Sequence, residues 1–122
     1  MIVGLGTDIC PPSRWRHLVE RFGAEKMARR ILDPEEAEYL LRGNRERLPE
    51  RLAGRWALRE AFGKALGIGL DGWSWKELRF LNGRLWAVGA LADLLVARDI
   101  QALHGSLSHD GDLAMAVVIL ER

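Results

Sequence analysis

Alternating side chains at the start of the chain predict a β-strand over residues 2–9. A second strand region is predicted over residues 105–121, because residues 114–120 are nearly all apolar, as in a buried strand. The two sides of the first strand carry different sets of residues: Val3, Leu5, Thr7 and Ile9 on one side, and Ile2, Gly4, Gly6 and Asp8 on the other.

Between these strands, apolar positions recur with the period of a helix. Helices are predicted from about 14 to 30, from 33 to 43 and from 49 to 66, and Gly23 can divide the first of them in two. These boundaries follow from residues that favour helix starts or stops, namely Ser13, Asp33, Pro34, Gly43, Pro49 and Gly67.

After residue 67 the pattern changes to that of a hairpin. Residues 75–81 and 84–88 are joined by Asn82-Gly83, a dipeptide that favours a tight turn between two strands. A short helix is then predicted from about 90 to 98. Strands at both ends with helices grouped between them indicate an α+β fold, and we expect one domain spanning residues 1–122.

Composition narrows the functional classes. The 122 residues are 48% hydrophobic and 29% charged with a net charge of +1, which is typical of a globular protein and argues against a general nucleic-acid binder. The single cysteine, Cys10, excludes an intrachain disulfide and a cysteine zinc cage. The start shows neither a basic segment nor a long apolar run, so we expect no secretory signal. The most apolar stretch, residues 88–103, is interrupted by charged residues and short for a membrane span, so we expect no span and a cytoplasmic location.

Charge is unevenly distributed along the chain. Segments 14–30 and 42–59 each carry six basic and two acidic residues, whereas segment 33–38 carries four acidic residues. Such segments either form basic surfaces for an acidic protein partner or are ordinary solvated helix faces.

Asp8 is the first candidate for chemistry. It shares a strand face with Gly4 and Gly6, so we expect open space beside its carboxylate. A carboxylate in that setting suits Mg²⁺, which takes oxygen ligands and keeps several waters. The alternative is an aspartate that caps a turn at the end of the strand.

Glu60 and Lys64 form the second candidate. Their i,i+4 spacing on the predicted helix places them on the side opposite Leu58 and Phe62. Such a pair is usually a surface salt bridge. The functional alternative is a carboxylate for a metal or a proton beside a cation for phosphate.

The segment around Ser106, Ser108 and His109 is a third candidate. A serine hydrolase is disfavoured because the Gly-x-Ser-x-Gly elbow is missing. A zinc site made of Cys10, His104 and His109 is disfavoured because the spacing matches no standard pattern, so a structural His104 is preferred.

Three blocks of the sequence together resemble one family. They are Gly4–Ile9, Leu52–Gly67, and Ser106–His109 with Ala114 and Ala116, and they occur in the order and at the spacing found in the holo-acyl-carrier-protein synthases, the small 4′-phosphopantetheinyl transferases. The resemblance covers essentially the whole chain. It has two departures, because the family usually has Lys at position 59 and often Gly-Lys-Pro at positions 83–85.

The resemblance implies a fold and a reaction. The fold is α+β, with an antiparallel sheet from the N-terminal strand, the central hairpin and the C-terminal strand, and helices grouped between. The reaction moves the 4′-phosphopantetheine group of coenzyme A onto a serine of apo acyl carrier protein, with Mg²⁺, and releases adenosine 3′,5′-bisphosphate for fatty-acid biosynthesis. The family also implies a homotrimer with active sites at subunit boundaries.

The resemblance also assigns roles to residues of this chain. Asp8 and Glu60 would bind Mg²⁺ and act in catalysis, with Glu60, directly or through a water, as the base. Lys64 would neutralise the phosphoryl oxygens and protonate the leaving group. The positions assigned to coenzyme A and to the carrier protein are Ser108 and His109 along the nucleotide, Arg55 at the nucleotide or holding the site together, and Arg14 and Arg21 on the docking helix.

Two other functions remain open at this point. One is a coenzyme A or nucleotide-binding module without catalysis, and the other is a structural subunit of a larger synthase. Asp8, Glu60 and Lys64 favour the enzyme, because a binder need not keep all three charges.

Overall fold

A three-stranded antiparallel sheet packed on one long helix forms the centre of the fold. The computed structural model describes residues 1–122. Two 3₁₀ turns, Arg45–Arg47 and Trp75–Glu77, lie between the longer elements. The elements in chain order are β1 (Ile2–Cys10), α1 (Pro12–Phe22), α2 (Ala24–Ile31), α3 (Pro34–Arg42), α4 (Leu48–Leu66), β2 (Leu78–Leu81), β3 (Arg84–Ala87), α5 (Gly89–Ala97), β4 (Ala102–Asp110) and β5 (Leu113–Glu121).

The predicted α+β class is confirmed, but the strands are distributed differently. The C-terminal strand region is a hairpin of β4 and β5, and β1 pairs with β5, giving the order β1-β5-β4. β2 and β3 form the predicted hairpin through Asn82 and Gly83, which both adopt positive φ. That hairpin is a separate two-stranded sheet. The prediction that it belongs to the main sheet is therefore wrong.

Helix α4 is buried on nearly every side. It contacts β1, β5, β4 and α1, and its side chains are mostly inaccessible to solvent. The sequence predicted one apolar side and a basic surface over 42–59, yet Arg55 and Arg59 are both buried. The basic surface of that segment is therefore smaller than predicted.

Local signals fix most helix boundaries. Gly23 has a φ of 96° and separates α1 from α2, as its position in the sequence allowed. Asp33 caps α3 by accepting hydrogen bonds from the amides of Glu35 and Glu36. Ser13 was predicted as a cap, but α1 already begins at Pro12, and Ser13 instead donates to Asp112 of the β4–β5 turn.

Tryptophans on one side of α4 belong to the core. Trp15 packs on Trp56 at 6.0 Å between ring centroids, and Trp56 meets Trp75 edge-on at 4.8 Å. The indole of Trp15 also donates to the sulfur of Cys10, and burial raises the pKa of that thiol. The aromatic side chains thus join α1, α4 and the segment before β2.

The face of the main sheet that points away from α4 is apolar and exposed. Leu5 and Ile9 of β1 are 62% and 61% exposed, and Met115 of β5 lies directly beside Ile9. Solvated apolar faces of this kind usually mark an interaction surface.

No helix in the structure is both long and apolar enough to cross a membrane.

Candidate active site

Asp8 lies where β1 and α4 touch through their backbones. A Cβ at Gly6 would stand 1.9 Å from the carbonyl oxygen of Ala61, and one at Gly4 would stand 2.3 Å from that of Ala65. The expectation of open space beside Asp8, on the side of Gly4 and Gly6, is therefore wrong, because α4 occupies that space. The glycines instead let the helix approach closely enough to bring its polar residues beside the carboxylate.

Lys64 reaches back from α4 to β1. Its Nζ lies 3.0 Å from Oδ1 of Asp8 and donates to the carbonyl oxygen of Thr7, also at 3.0 Å. The simple surface salt bridge with Glu60 that the spacing allowed is not formed. Lys64 remains 58% exposed, so its ammonium group is anchored and still accessible.

Glu60 is the second carboxylate of the site. Partial burial, and then the adjacent carboxylate of Asp8, raise the pKa of Glu60, whereas Trp56 and Lys64 act in the opposite direction. The two predicted acidic residues are therefore neighbours in space. This juxtaposition was the most specific geometric expectation from the sequence.

The donor set fits a hard divalent cation. Oδ2 of Asp8 is buried and has no hydrogen-bond partner, although buried polar atoms are normally satisfied. Two adjacent carboxylates with one unsatisfied oxygen provide hard oxygen ligands. The structure contains no cluster of three or more His, Cys, Asp or Glu side chains for a metal, so further ligands would come from water or a phosphate substrate.

His109 and Ser108 lie at the end of β4, beside the N-terminal half of α4. His109 Nε2 is 3.5 Å from Oε2 of Glu50, and both side chains line a cavity of about 200 Å³. Ser106 and His109 have opposite parity on β4, so they do not form a catalytic dyad. The lining of this cavity is Glu50, Arg51, Gly54, Arg55, Leu107, Ser108, His109 and Ala114.

Arg55 belongs to a buried ionic network that sequence reasoning missed. Its Nε donates to Oε2 of Glu36, whose other oxygen accepts from the amide of Phe80. Arg59 is fully buried, lies 3.6 Å from Glu36 and donates to the carbonyls of Trp75 and Leu78. Burial lowers the pKa of both arginines.

This network joins α3, α4 and β2 through Glu36, Arg55 and Phe80, and both predicted roles of Arg55 in the site stay predictions. The acidic segment 33–38 was a signal, since a buried arginine requires a carboxylate partner.

Arg14 and Arg21 are exposed on α1, the helix that follows β1 directly. Arg21 lies over the ring of Phe22, which is itself 44% exposed. A cavity of about 380 Å³ adjoins this surface between α1 and α2, and its lining mixes apolar and basic residues: Leu18, Phe22, Lys26, Met27 and Arg30.

Known proteins are similar to this chain in both sequence and fold. The model of the 4′-phosphopantetheinyl transferase superfamily matches residues 4–118. A holo-[acyl-carrier-protein] synthase of Geotalea daltonii is 35% identical over the full length of both chains, and one of Salinispora arenicola is 40% identical, again over both full lengths.

Solved structures agree with these relatives. A holo-[acyl-carrier-protein] synthase from Neisseria meningitidis superimposes with a TM-score of 0.90 at 32% identity, covering all of both chains. One from Helicobacter pylori, solved in complex with coenzyme A, gives 0.76 at 29% identity, covering 96% of this chain and 99% of that one.

The chain therefore belongs to the 4′-phosphopantetheinyl transferase superfamily. Within it, the relatives named above are holo-[acyl-carrier-protein] synthases, which confirms the enzyme class predicted from the three sequence blocks.

Proposed function

We propose that the chain, as a single domain, transfers 4′-phosphopantetheine from coenzyme A to a serine hydroxyl of apo acyl carrier protein and releases adenosine 3′,5′-bisphosphate. The observation that carries this proposal is the meeting of Asp8, Glu60 and Lys64 at the β1–α4 contact. Phosphoryl transfer requires mainly positioning and charge stabilisation, and this group of charges supplies both.

Asp8 and Glu60 are the residues that would hold Mg²⁺. Partial burial and the neighbouring Asp8 raise the pKa of Glu60, and a cation at this position would offset both effects and satisfy the free Oδ2 of Asp8. When bound, the ion supplies positive charge that polarises the pyrophosphate of coenzyme A.

Glu60 is the group placed to take the proton of the attacking serine, directly or through a water. Its raised pKa makes it a better proton acceptor in its ionised form than an ordinary glutamate. Removing that proton makes the serine oxygen a stronger nucleophile towards phosphorus.

The ammonium group of Lys64 is held in place by Asp8 and the Thr7 carbonyl and stays accessible to solvent. In that position it neutralises phosphoryl oxygens and can give a proton to the departing phosphate. The point charge of a lysine is suited to both roles.

The cavity beside His109 is the proposed nucleotide side of the site. His109 and Ser108 lie along one wall, and Arg55 contributes to the other while its Nε is bonded to Glu36. Arg55 thus lines the cavity and, through Glu36, also supports the position of α4.

The acidic carrier protein is proposed to dock on α1. Arg14 and Arg21 contribute exposed positive charge to this helix, and the cavity beside Phe22 offers apolar surface next to it. Complementary charge favours encounter and orientation of an acidic partner.

A homotrimer is proposed because the family resemblance implies one, and the outer face of the main sheet, where Leu5, Ile9 and Met115 are exposed, is the surface proposed for its contacts. A role in fatty-acid biosynthesis, a cytoplasmic location and the absence of nucleic-acid partners remain predictions from the sequence.

The decisive experiment incubates the chain with coenzyme A, apo acyl carrier protein and Mg²⁺, with and without a chelator, and follows the mass of the carrier. We expect a mass gain of one phosphopantetheine that the chelator abolishes. Glu60→Gln should lose at least about 100-fold in turnover, the range of general acid–base catalysis, and remain folded.

Glu46→Gln is the matched control, because Glu46 is exposed and its carboxylate makes no ion pair. It should transfer at the wild-type rate. Near wild-type turnover by Glu60→Gln in Mg²⁺ would overturn the assignment, and coenzyme A binding without transfer by the wild type would favour a non-catalytic binding module.

A further inference from the structure

The start of α1 is held by a residue from the far end of the chain. The amide of Ser13 donates to Oδ1 of Asp112 at 3.1 Å, and the Ser13 hydroxyl donates to Oδ2 at 3.0 Å. Asp112 lies in the turn between β4 and β5, so one carboxylate uses both oxygens to bind the first turn of α1.

Helix α1 has no comparable support of its own. Pro11 occupies the cap position without a side-chain hydrogen bond, and the first turn contains no acidic residue. A helix start normally gains stability from a carboxylate that accepts its free amides and complements its dipole. In this chain Asp112 is that carboxylate, supplied from 99 residues away.

The bond joins the two surfaces that the two substrates are proposed to use. Arg14, on the proposed docking helix, is the residue immediately after Ser13. His109 and Ser108, at the nucleotide cavity, lie three and four residues before Asp112. A shift of α1 relative to the β4–β5 turn would therefore move the carrier protein relative to coenzyme A.

We infer that Asp112 is a positioning residue, which through Ser13 fixes the docking helix against the β4–β5 turn and so aligns the carrier serine with the phosphate it attacks. This inference rests on the proposed function. It predicts that loss of Asp112 raises the KM for the carrier protein and leaves the KM for coenzyme A unchanged. A general loss of stability would affect both substrates.

The test measures KM for apo carrier protein and for coenzyme A separately in Asp112→Ala, Asp112→Asn, Ser13→Ala and the Ser13→Ala/Asp112→Ala double variant. We expect Asp112→Ala to raise the carrier KM about fivefold, because loss of both hydrogen bonds displaces the docking helix, and to change the coenzyme A KM less than about twofold. Asp112→Asn should recover part of this loss, because its side-chain oxygen still accepts from the Ser13 amide.

The double variant should match Asp112→Ala alone, since Asp112→Ala already removes both hydrogen bonds, whereas Ser13→Ala removes only the one from the hydroxyl. Asp110→Asn is the matched control, because it removes a negative charge from the same hairpin at an exposed residue that makes no hydrogen bond through its side chain. It should leave both KM values unchanged.

Equal increases in the two KM values, an unchanged carrier KM in Asp112→Ala, or the same effect in Asp110→Asn would each overturn the inference. Hydrogen exchange of the α1 amides is the second measurement, and it should be faster in Asp112→Ala than in the wild type. If the wild type transferred no phosphopantetheine, the proposed function would fall, and unchanged α1 exchange in Asp112→Ala would still refute the hold of Asp112 on the helix.

Discussion

Two carboxylates share the β1–α4 contact, and their charges are only partly compensated. Lys64 pairs with Asp8, whereas Glu60 has a raised pKa because burial and Asp8 both disfavour its ionised form. The folded chain therefore keeps an unfavourable interaction that a bound cation would remove. Function and stability are expected to conflict at this residue.

Glu60→Gln should make the metal-free protein more stable at alkaline pH. Because the pKa of Glu60 is raised in the folded state, Glu60 contributes stability at low pH, and this contribution is lost as the pH rises through that pKa. At about pH 8 the ionised Glu60 therefore destabilises the folded state, whereas a neutral glutamine does not. We expect the melting temperature to rise by about 2–4 °C at that pH. Thermal melts at several pH values measure this.

The difference should vanish at about pH 3.5, where most glutamates are protonated. Mg²⁺ should raise the melting temperature of the wild type more than that of the variant, because the variant lacks the Glu60 carboxylate through which the folded state would bind the ion. A variant less stable than the wild type at pH 8 would contradict this account.

At the scale of residues, the sequence predicted the charged groups better than their partners. Asp8, Glu60 and Lys64 were candidates from the sequence and are neighbours in the structure, but the pairing of Lys64 with Asp8 required knowledge of how closely β1 and α4 approach. The Glu36–Arg55–Arg59 network was missed, because burial of an arginine depends on which distant carboxylate the fold brings to it.

At the scale of elements, the contact between β1 and α4 determines the geometry of the site. The two backbones approach so closely at Gly6 and Ala61 that no side chain fits between them. The positions of Asp8 on the strand and Glu60 on the helix are therefore coupled to one short stretch of packing.

Gly6→Ala should separate the two elements. Its added methyl group would stand 1.9 Å from a backbone oxygen, which cannot move away as a flexible side chain can. We expect a loss of about 1–3 kcal/mol in the free energy of unfolding, typical of overpacking, with a fall in turnover. Denaturant titration and the carrier mass assay measure the two effects.

Gly54→Ala is the control within α4, because a methyl group there meets only Leu107 at 3.5 Å, an ordinary contact. It should keep or increase stability, as alanine favours a helix more than glycine does. Equal stability of Gly6→Ala and the wild type would show that the β1–α4 distance is not limiting.

Element boundaries could be predicted where their signals are local. Asp33-Pro34 begins α3 and Gly67 ends α4, and both rely on neighbouring residues. The sheet to which the central hairpin belongs was not predictable, because strand pairing joins distant segments. Ser13 was misassigned for the same reason, since its partner Asp112 is far along the chain.

At the scale of the whole molecule, the outer face of the main sheet remains without a covering layer. One face of β1 and β5 packs on α4, whereas the other presents Leu5, Ile9 and Met115 to solvent. An apolar sheet face of this kind is stabilised when copies of the chain pack against one another.

For the homotrimer that the family resemblance implies, light scattering should give a mass three times that of one 13.8 kDa chain. Leu5→Asp should dissociate the assembly without unfolding the single chain, because Leu5 is 62% exposed in it. Val96→Asp is the control, since Val96 is an exposed apolar residue on α5, outside this face. A monomeric wild type, or loss of the trimer in Val96→Asp, would refute the assignment of this face.

Because Cys10 is buried, the native chain is suitable for site-specific labelling at an introduced cysteine. The only thiol is 2% exposed beneath Trp15, and its raised pKa keeps it in the unreactive protonated form. A fluorophore or spin label can therefore be attached to one engineered surface cysteine while the original thiol is retained. A label on α1 would then report the position of this helix by spectroscopy in a protein whose core has not been altered.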